Sequence, residues 1–449
     1  MITIPLIRGF GPRSVFAYRE GRAVRIEEFL RDVWQLAAAL PERRHVFNLC
    51  ADRYRFAVGL SAALLRRQVS LLPPNETPDL IERLVVRYPD VYCLSDRAEA
   101  HATLDTVFFP VPAVGGPAEP LVPDVPEAHP AVILFTSGST GDPVPVRKTW
   151  GSLVRSALAE AGRLDVRARP GMAVLGTVPP QHAYGLESTL LMPMQGGLSL
   201  QARRPFFPAD VRAELAALPR PRCLVTTPVH LRVLLAEPDE LPPADLVLCA
   251  TAPLSPQLAA QAEARFAAPL YEIYGCTEAG QVATRRTVET GEWHLLPRLV
   301  LRADSTGTWV KGGHVETEVL LADVIELRGR ARFLLHGRTS DLVNLAGKRT
   351  SLAHLNYHLN SIKGVLDGAF VAPEDKGETV ARLVAFVVAP EHTGESIMNE
   401  LRQRIDAAFL PRPLCFVDAL PRNATGKLPL QSLNQIAAEF GSGMEQVRP

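Results

Sequence analysis

Apolar positions along the chain fall into short runs, and the stretches between them carry helical spacing. Val46, Phe47 and Leu49 mark a strand, residues 54–65 place Phe56, Leu60, Ala63 and Leu64 at helical intervals, and Val69, Leu71 and Leu72 mark the next strand, stopped by Pro73-Pro74. Strand, helix and strand in this order predict a βαβ unit, and with it a parallel sheet covered by helices. Residues 79–87 read as a short helix and 91–94 as another strand. Residues 110–130 hold seven prolines in 21 positions and read as an irregular, extended connection. Beyond it, strands are predicted at 131–134, 172–177, 223–227, 246–249 and 270–273, and a helix at 153–161. The last quarter reads differently: a helix at 352–362, strands at 368–372 and 383–388, and a helix at 397–409. That is the pattern of a small α+β unit.

Composition narrows the picture. A chain of 449 residues has room for roughly three structural units and large buried sheets. Apolar content of 47% and charged content of 21% are those of an ordinary globular protein. Lys and Arg number 48, as do Asp and Glu, which argues against nucleic acid or an anionic membrane as the main partner. Cys50, Cys93, Cys223, Cys249, Cys276 and Cys415 are scattered, none in a Cys-x-x-Cys pair, and read as reduced thiols of a cytoplasmic protein. The start has no basic stretch followed by an apolar core, and no run of about 18 apolar residues predicts a membrane span.

Candidate chemistry begins at Thr136-Ser137-Gly138-Ser139-Thr140-Gly141, directly after the 131–134 strand. Glycines let a loop curl around an anion, and the hydroxyls and free backbone N–H groups supply donors, so a nucleoside triphosphate is the obvious guest. The spacing is neither a Walker A motif nor a dinucleotide-binding fingerprint. A Ser/Gly-rich surface turn is the plain alternative. Later come Tyr274-Gly275-Cys276-Thr277-Glu278 at a strand end, Asp323 and Arg338, and Gly426-Lys427 near the end of the chain. His354 and His358 lie one helical turn apart, but Leu355 stands where a His-Glu-x-x-His zinc site needs Glu, so they read as solvent-side residues.

In their order and spacing these motifs resemble the adenylate-forming superfamily: acyl- and aryl-CoA ligases and peptide-synthetase adenylation domains. The resemblance runs from about residue 46 to the end. It implies an α/β fold, with a large N-terminal domain of layered sheets and helices at residues 1–338 and a small mobile α+β lid at 339–449. It also implies roles. Thr136, Ser137, Gly138, Ser139, Thr140 and Gly141 would cradle the phosphates of ATP. Tyr274 and Gly275 would border adenine, Thr277 would bond the α-phosphate, and Glu278 would hold Mg²⁺. Asp323 and Arg338 would bind the ribose. His182, Tyr184 and Gly185, with Ala250 and Thr251, would line the acid pocket; the last two replace the family's glycines. Ser340 stands at the hinge position, Gly347 would line the thiol tunnel, and Lys427 would catalyse adenylation.

The reaction so implied has two halves. A carboxylate attacks the α-phosphate of ATP, giving acyl-adenylate and pyrophosphate; a thiol then attacks the activated carbonyl and releases AMP. Within the superfamily, the phrases at residues 52–57 and 180–185 resemble the small ligases of aryl polyene and xanthomonadin-type pigment clusters, which load 4-hydroxybenzoate or a related aryl acid onto an acyl carrier protein. The residues alone support a small or aromatic carboxylic acid. Coenzyme A as acceptor, and a non-catalytic nucleotide- or acyl-binding protein, stay open. Val144 stands where the family's phosphate loop has lysine, and Lys148 is the candidate to replace it.

Overall fold

Parallel strands buried on both faces need continuous apolar runs, and the longest sheet is built from them. The computed structural model describes residues 2–11, 13–97, 104–109, 121–137, 143–338, 342–345, 348–372, 383–422 and 428. Among these, an eleven-stranded sheet has at its centre Leu270–Cys276, Leu246–Cys249, Arg222–Thr226, Ala173–Gly176, Ser199–Gln201 and Val15–Arg19, side by side and all parallel. Antiparallel strands extend it past Leu270–Cys276, ending with the pair Asp323–Leu327 and Arg332–Arg338.

A second, six-stranded sheet contains the predicted βαβ unit. His45–Asn48, Val69–Leu72, Val91–Ser95 and Pro130–Ser137 run parallel, and Pro143–Thr149 returns antiparallel along Pro130–Ser137. The helix Arg53–Leu65 is buried along most of its length, so the helical spacing seen in the sequence does not mark an exposed face. Asp52 caps it by accepting the Arg55 N–H at 2.8 Å. Residues 53–65 and the helix Trp150–Arg163 share one apolar core with the sheet, centred on Phe16, Phe29, Phe56 and Trp150.

The C-terminal part is a smaller α+β unit. Asp367–Val371, Val384–Val388 and Leu414–Phe416 form its sheet. Leu355 and Leu359 of the helix Leu352–Asn360, and Ile397 and Leu401 of Gly394–Arg402, bury themselves in one core with Phe370 and Val387.

Several expectations change in extent. The helix expected at 153–161 runs Trp150–Arg163, because Thr149 caps it by accepting the Ser152 N–H. The strand expected at 131–134 runs Pro130–Ser137 and carries Thr136 on its last turn of pleat. In the proline-rich stretch, Asp124–Pro126 pairs with Thr3–Pro5 as an edge ribbon, where missing proline N–H groups cost no ladder bond. The helix expected at 397–409 stops at Arg402. Asp406 then caps a separate short turn, Ala407–Phe409, by accepting the Ala408 N–H. His354 is exposed and His358 half-buried, their rings 4.5 Å apart.

Candidate active site

Ligands of open α/β sheets bind beyond the carboxyl ends of parallel strands. Four adjacent strand ends here release the candidate residues. Ala173–Gly176 leads to Thr177 and His182, Arg222–Thr226 to His230, Leu246–Cys249 to Ala250 and Thr251, and Leu270–Cys276 to Thr277 and Glu278.

Side-chain bonds tie these ends together. Thr177 Oγ1 lies 3.0 Å from Thr226 Oγ1 and 2.9 Å from His230 Nδ1. Burial, and then the charge of Arg204, hold the His230 imidazole below its usual range, so it is neutral at pH 7. Tyr184 is half-buried beside a cluster that includes Val178 and Ala250, and its hydroxyl donates to the Thr226 carbonyl at a strand end at 3.2 Å. Gly185 also has a packing reason, since a Cβ there would lie 1.9 Å from the Pro179 carbonyl oxygen. In the same segment, His182 at the head of the helix Ala183–Leu186 keeps a position at the strand ends.

Arg53 fixes the same loop from below. It is fully buried, yet its guanidinium donates to the carbonyls of Gly176 at 2.9 Å, Val178 at 3.0 Å and Gln201 at 2.8 Å, and to Thr189 Oγ1 at 3.0 Å. Burial, then Arg204, push it down to about 9. Its five donors are spent on backbone and hydroxyl oxygens, which locks the path of residues 176–178.

On the neighbouring strand, Glu272 holds the loop that follows Thr251. It accepts the Leu254 N–H at 3.2 Å and, on its other oxygen, Arg285 Nε at 2.7 Å. Thr251 adopts φ +85°, a left-handed conformation that is costly for a β-branched residue. A glycine would adopt it freely.

The second expected motif lies beside this loop. Tyr274 is buried against Trp293 and Phe333, and its hydroxyl donates to Asp323 Oδ2 at 2.7 Å. Asp323 stands directly opposite Arg338 in the strand register. Thr277 is half-buried and Glu278 exposed. Among the described residues no group of three or more His, Cys, Asp or Glu could hold a metal by itself. Glu278 fits the other arrangement, a single hard carboxylate oxygen that shares a Mg²⁺ ion with substrate phosphates.

Gly138, Ser139, Thr140, Gly141, Ser340, Gly347 and Lys427 lie outside the described residues. Thr136 pairs with Val144 across the two strands that flank residues 138–142. Lys148 sits four residues further along, roughly 13 Å at the rise of a strand. Its ammonium is buried and donates to the backbone carbonyl of Glu278 at 2.6 Å. The charge therefore meets the Thr277–Glu278 turn; the loop it was a candidate to serve lies outside the described residues. The C-terminal unit meets the large domain at Asp367, which binds Arg232 at 3.3 Å and Arg422 at 2.7 Å. Gln257 adds a bond to the Ser361 carbonyl at 2.8 Å.

Polar residues behind the site carried no periodic signal in the sequence. Glu160 is fully buried, and accepts the Ser188 hydroxyl at 2.6 Å. Burial pushes its carboxyl up to about 8. Such a group holds its proton in the folded chain but loses it near ~4.3 in the unfolded one. Its stabilising share is complete below that lower value and drains away as pH rises toward about 8. Glu160→Gln keeps the shape without the charge. Its melting temperature should match the parent's near about pH 4 and exceed it near about pH 8. Calorimetric melts across that range check this; curves that stay parallel would contradict it.

Comparison with known proteins agrees with this layout. The model of the AMP-binding enzyme family matches residues 37–315, and that of the AMP-binding enzyme C-terminal domain matches 358–427. A 4-coumarate–CoA ligase of Rhodobacter capsulatus is 30% identical over 66% of this chain and 74% of its own length. A D-alanine–D-alanyl carrier protein ligase of Lacticaseibacillus rhamnosus is 24% identical over 67% of this chain and 70% of its own. The fold is shared with o-succinylbenzoate CoA synthetase of Bacillus subtilis, solved with its acyl-adenylate intermediate: TM-score 0.77, 20% identity, 95% of each chain. No helix among the described residues is long and apolar enough to cross a membrane. With both family models matched in order, the chain belongs to the AMP-binding enzyme family and is an ATP-dependent, AMP-forming acid ligase.

Proposed function

We propose that the protein activates a small aromatic carboxylic acid, a hydroxybenzoate, as its acyl-adenylate and passes the acyl group to the phosphopantetheine thiol of an acyl carrier protein. The observation that carries the nucleotide half is the bond from Tyr274 to Asp323, with Arg338 opposite, beside Thr277 and Glu278. Two motifs distant in sequence thereby meet through a side-chain bond, and a carboxylate such as that of Asp323 accepts ribose hydroxyls well. Thr277 bonds the α-phosphate. Glu278 and the hydroxyl loop at residues 136–141 hold the rest of the triphosphate, with Mg²⁺ supplying charge neutralisation when bound. Lys427 from the C-terminal unit stabilises the charge that develops as the carboxylate attacks.

The acid reading rests on the polar rings at the strand ends. His182 and His230, with Thr177, can meet a ring hydroxyl; the narrowing by Ala250 and Thr251 disfavours long chains. A site built to bond a hydroxyl rejects the analogue without one strongly. The acceptor is less constrained, since one relative is named for CoA and another for a carrier protein. An acceptor assay decides it: enzyme, Mg·ATP and 4-hydroxybenzoate are offered holo-carrier protein or free CoA. Faster thioester formation on the carrier supports the proposal, and turnover on CoA alone replaces it with an aryl-CoA ligase.

A further inference from the structure

Two opposite charges lie buried behind the phosphate side of the site, and no step proposed above uses them. Lys148, at the end of the strand Pro143–Thr149, is 9% exposed. Glu187 is 4% exposed and opens a π-helical turn, Glu187–Leu191, inside the helical run that starts after His182. Such turns insert one extra residue and often mark functional sites.

Both charges reach the turn at residues 277–281, from different sides. Lys148 donates to the Glu278 carbonyl at 2.6 Å. The Glu187 carboxylate accepts the Ser156 hydroxyl at 3.3 Å and lies against the Gln281 backbone N–H. Between those contacts sits Gly280 at φ +80°, where a Cβ would come 2.9 Å from Glu187 Oε1. Glycine thus admits both the left-handed turn and the carboxylate. Burial acts first on both groups, lowering Lys148 and pushing Glu187 up to about 7, and each is the strongest charge that opposes this at the other.

We propose that Lys148 and Glu187 are positioning residues that clamp the backbone of the turn at 277–281 and so set where Thr277 and Glu278 meet Mg·ATP. The inference rests on the nucleotide roles given above to those two residues. A buried pair is weak evidence of stability, because desolvation offsets the attraction. Its contribution here is geometric: Lys148 fixes the carbonyl of Glu278 and Glu187 the N–H of Gln281, so the backbone just after the residue that faces the metal is held at two points. Glu187 belongs to the helical run that begins after His182, so the pair also joins the acid-side segment to the phosphate-side turn.

The test separates position from stability. Lys148→Met leaves Glu187 buried without its counter-charge and should lower the melting temperature. Lys148→Met/Glu187→Leu removes both charges and should melt near the parent. If the clamp positions the turn, both variants bind Mg·ATP weaker by roughly 10- to 100-fold, the scale for lost partners of a metal ligand. Calorimetric titration with Mg·ATP alone reads this without turnover. KM for ATP should rise by a similar factor, while thioester formation from supplied acyl-adenylate stays near the parent rate, and Lys148→Arg should recover part of the affinity. A double variant that melts like the parent and binds Mg·ATP like the parent would overturn the clamp. A parent that does not bind Mg·ATP would instead overturn the nucleotide reading itself.

Discussion

Lys427→Ala should slow acyl-adenylate formation at least ~10²-fold, the scale for removing one preorganised charge from a transition state. Lys427 closes the phrase that begins Pro421-Arg422 and is the last residue matched by the C-terminal family model. Arg422, shortly before it, is anchored to Asp367, and Asp367 also binds Arg232 of the large domain. The segment that delivers the lysine therefore starts from a point tied to both units. Attack on the α-phosphate places charge on non-bridging oxygens, and a positioned ammonium lowers that barrier without forming a bond. Thioester formation from supplied acyl-adenylate needs no such charge and should survive. ATP–pyrophosphate exchange gives the first half-reaction and single-turnover thioester formation the second. Unchanged exchange would mean that the terminal motif has another role.

Gly347→Leu should produce the opposite pattern, with thioester formation blocked and exchange nearly normal. The proposal is that the C-terminal unit turns after adenylation and presents a second face, so that Gly347 lets backbone approach the incoming thiol closely. The strands Leu342–Leu345 and Lys348–Ser351 pair with Leu345 opposite Lys348, and two residues separate them in sequence. A connection of that length also favours glycine for its backbone alone. Leu at 347 would then destabilise the unit and harm both half-reactions together. A thermal melt run beside the two single-turnover assays separates these outcomes. Loss of both activities in a variant that melts like the parent would reject the two-face scheme, with Ser340 at the hinge position the first residue to examine.

Much of the frame was legible because parallel strands leave a plain mark. The runs at 172–177, 223–227, 246–249 and 270–273 are apolar on both faces, and each ends where a polar or small residue begins the site. The resemblance grouped Asp323 with Arg338 as ribose ligands; that the two stand opposite each other in strand register came only from the fold. What stayed hidden was polar and buried. Arg53 looks like any helix-start arginine, yet its guanidinium is fully inside and spent on carbonyl oxygens. Glu160, Glu187 and Lys148 are single polar residues in apolar surroundings, and only tertiary contacts give them partners. Tyr184 was assigned to the pocket by resemblance and its place after a strand, which did not reveal that its hydroxyl bonds the Thr226 carbonyl. Lys148 shows the same limit: nothing in the sequence near it points to the Glu278 carbonyl that its ammonium reaches.

ATP–pyrophosphate exchange across a panel of acids tests the central claim most directly. The panel sets 4-hydroxybenzoate and 3-hydroxybenzoate against benzoate, octanoate and acetate, with purified full-length protein and Mg²⁺. The predicted result is acid-dependent exchange that is fastest with a hydroxybenzoate and weak with benzoate, since a site that bonds a ring hydroxyl loses that bond with the analogue lacking it. Exchange fastest with octanoate would contradict the aromatic acid, and no exchange with any acid would contradict adenylate chemistry at this site.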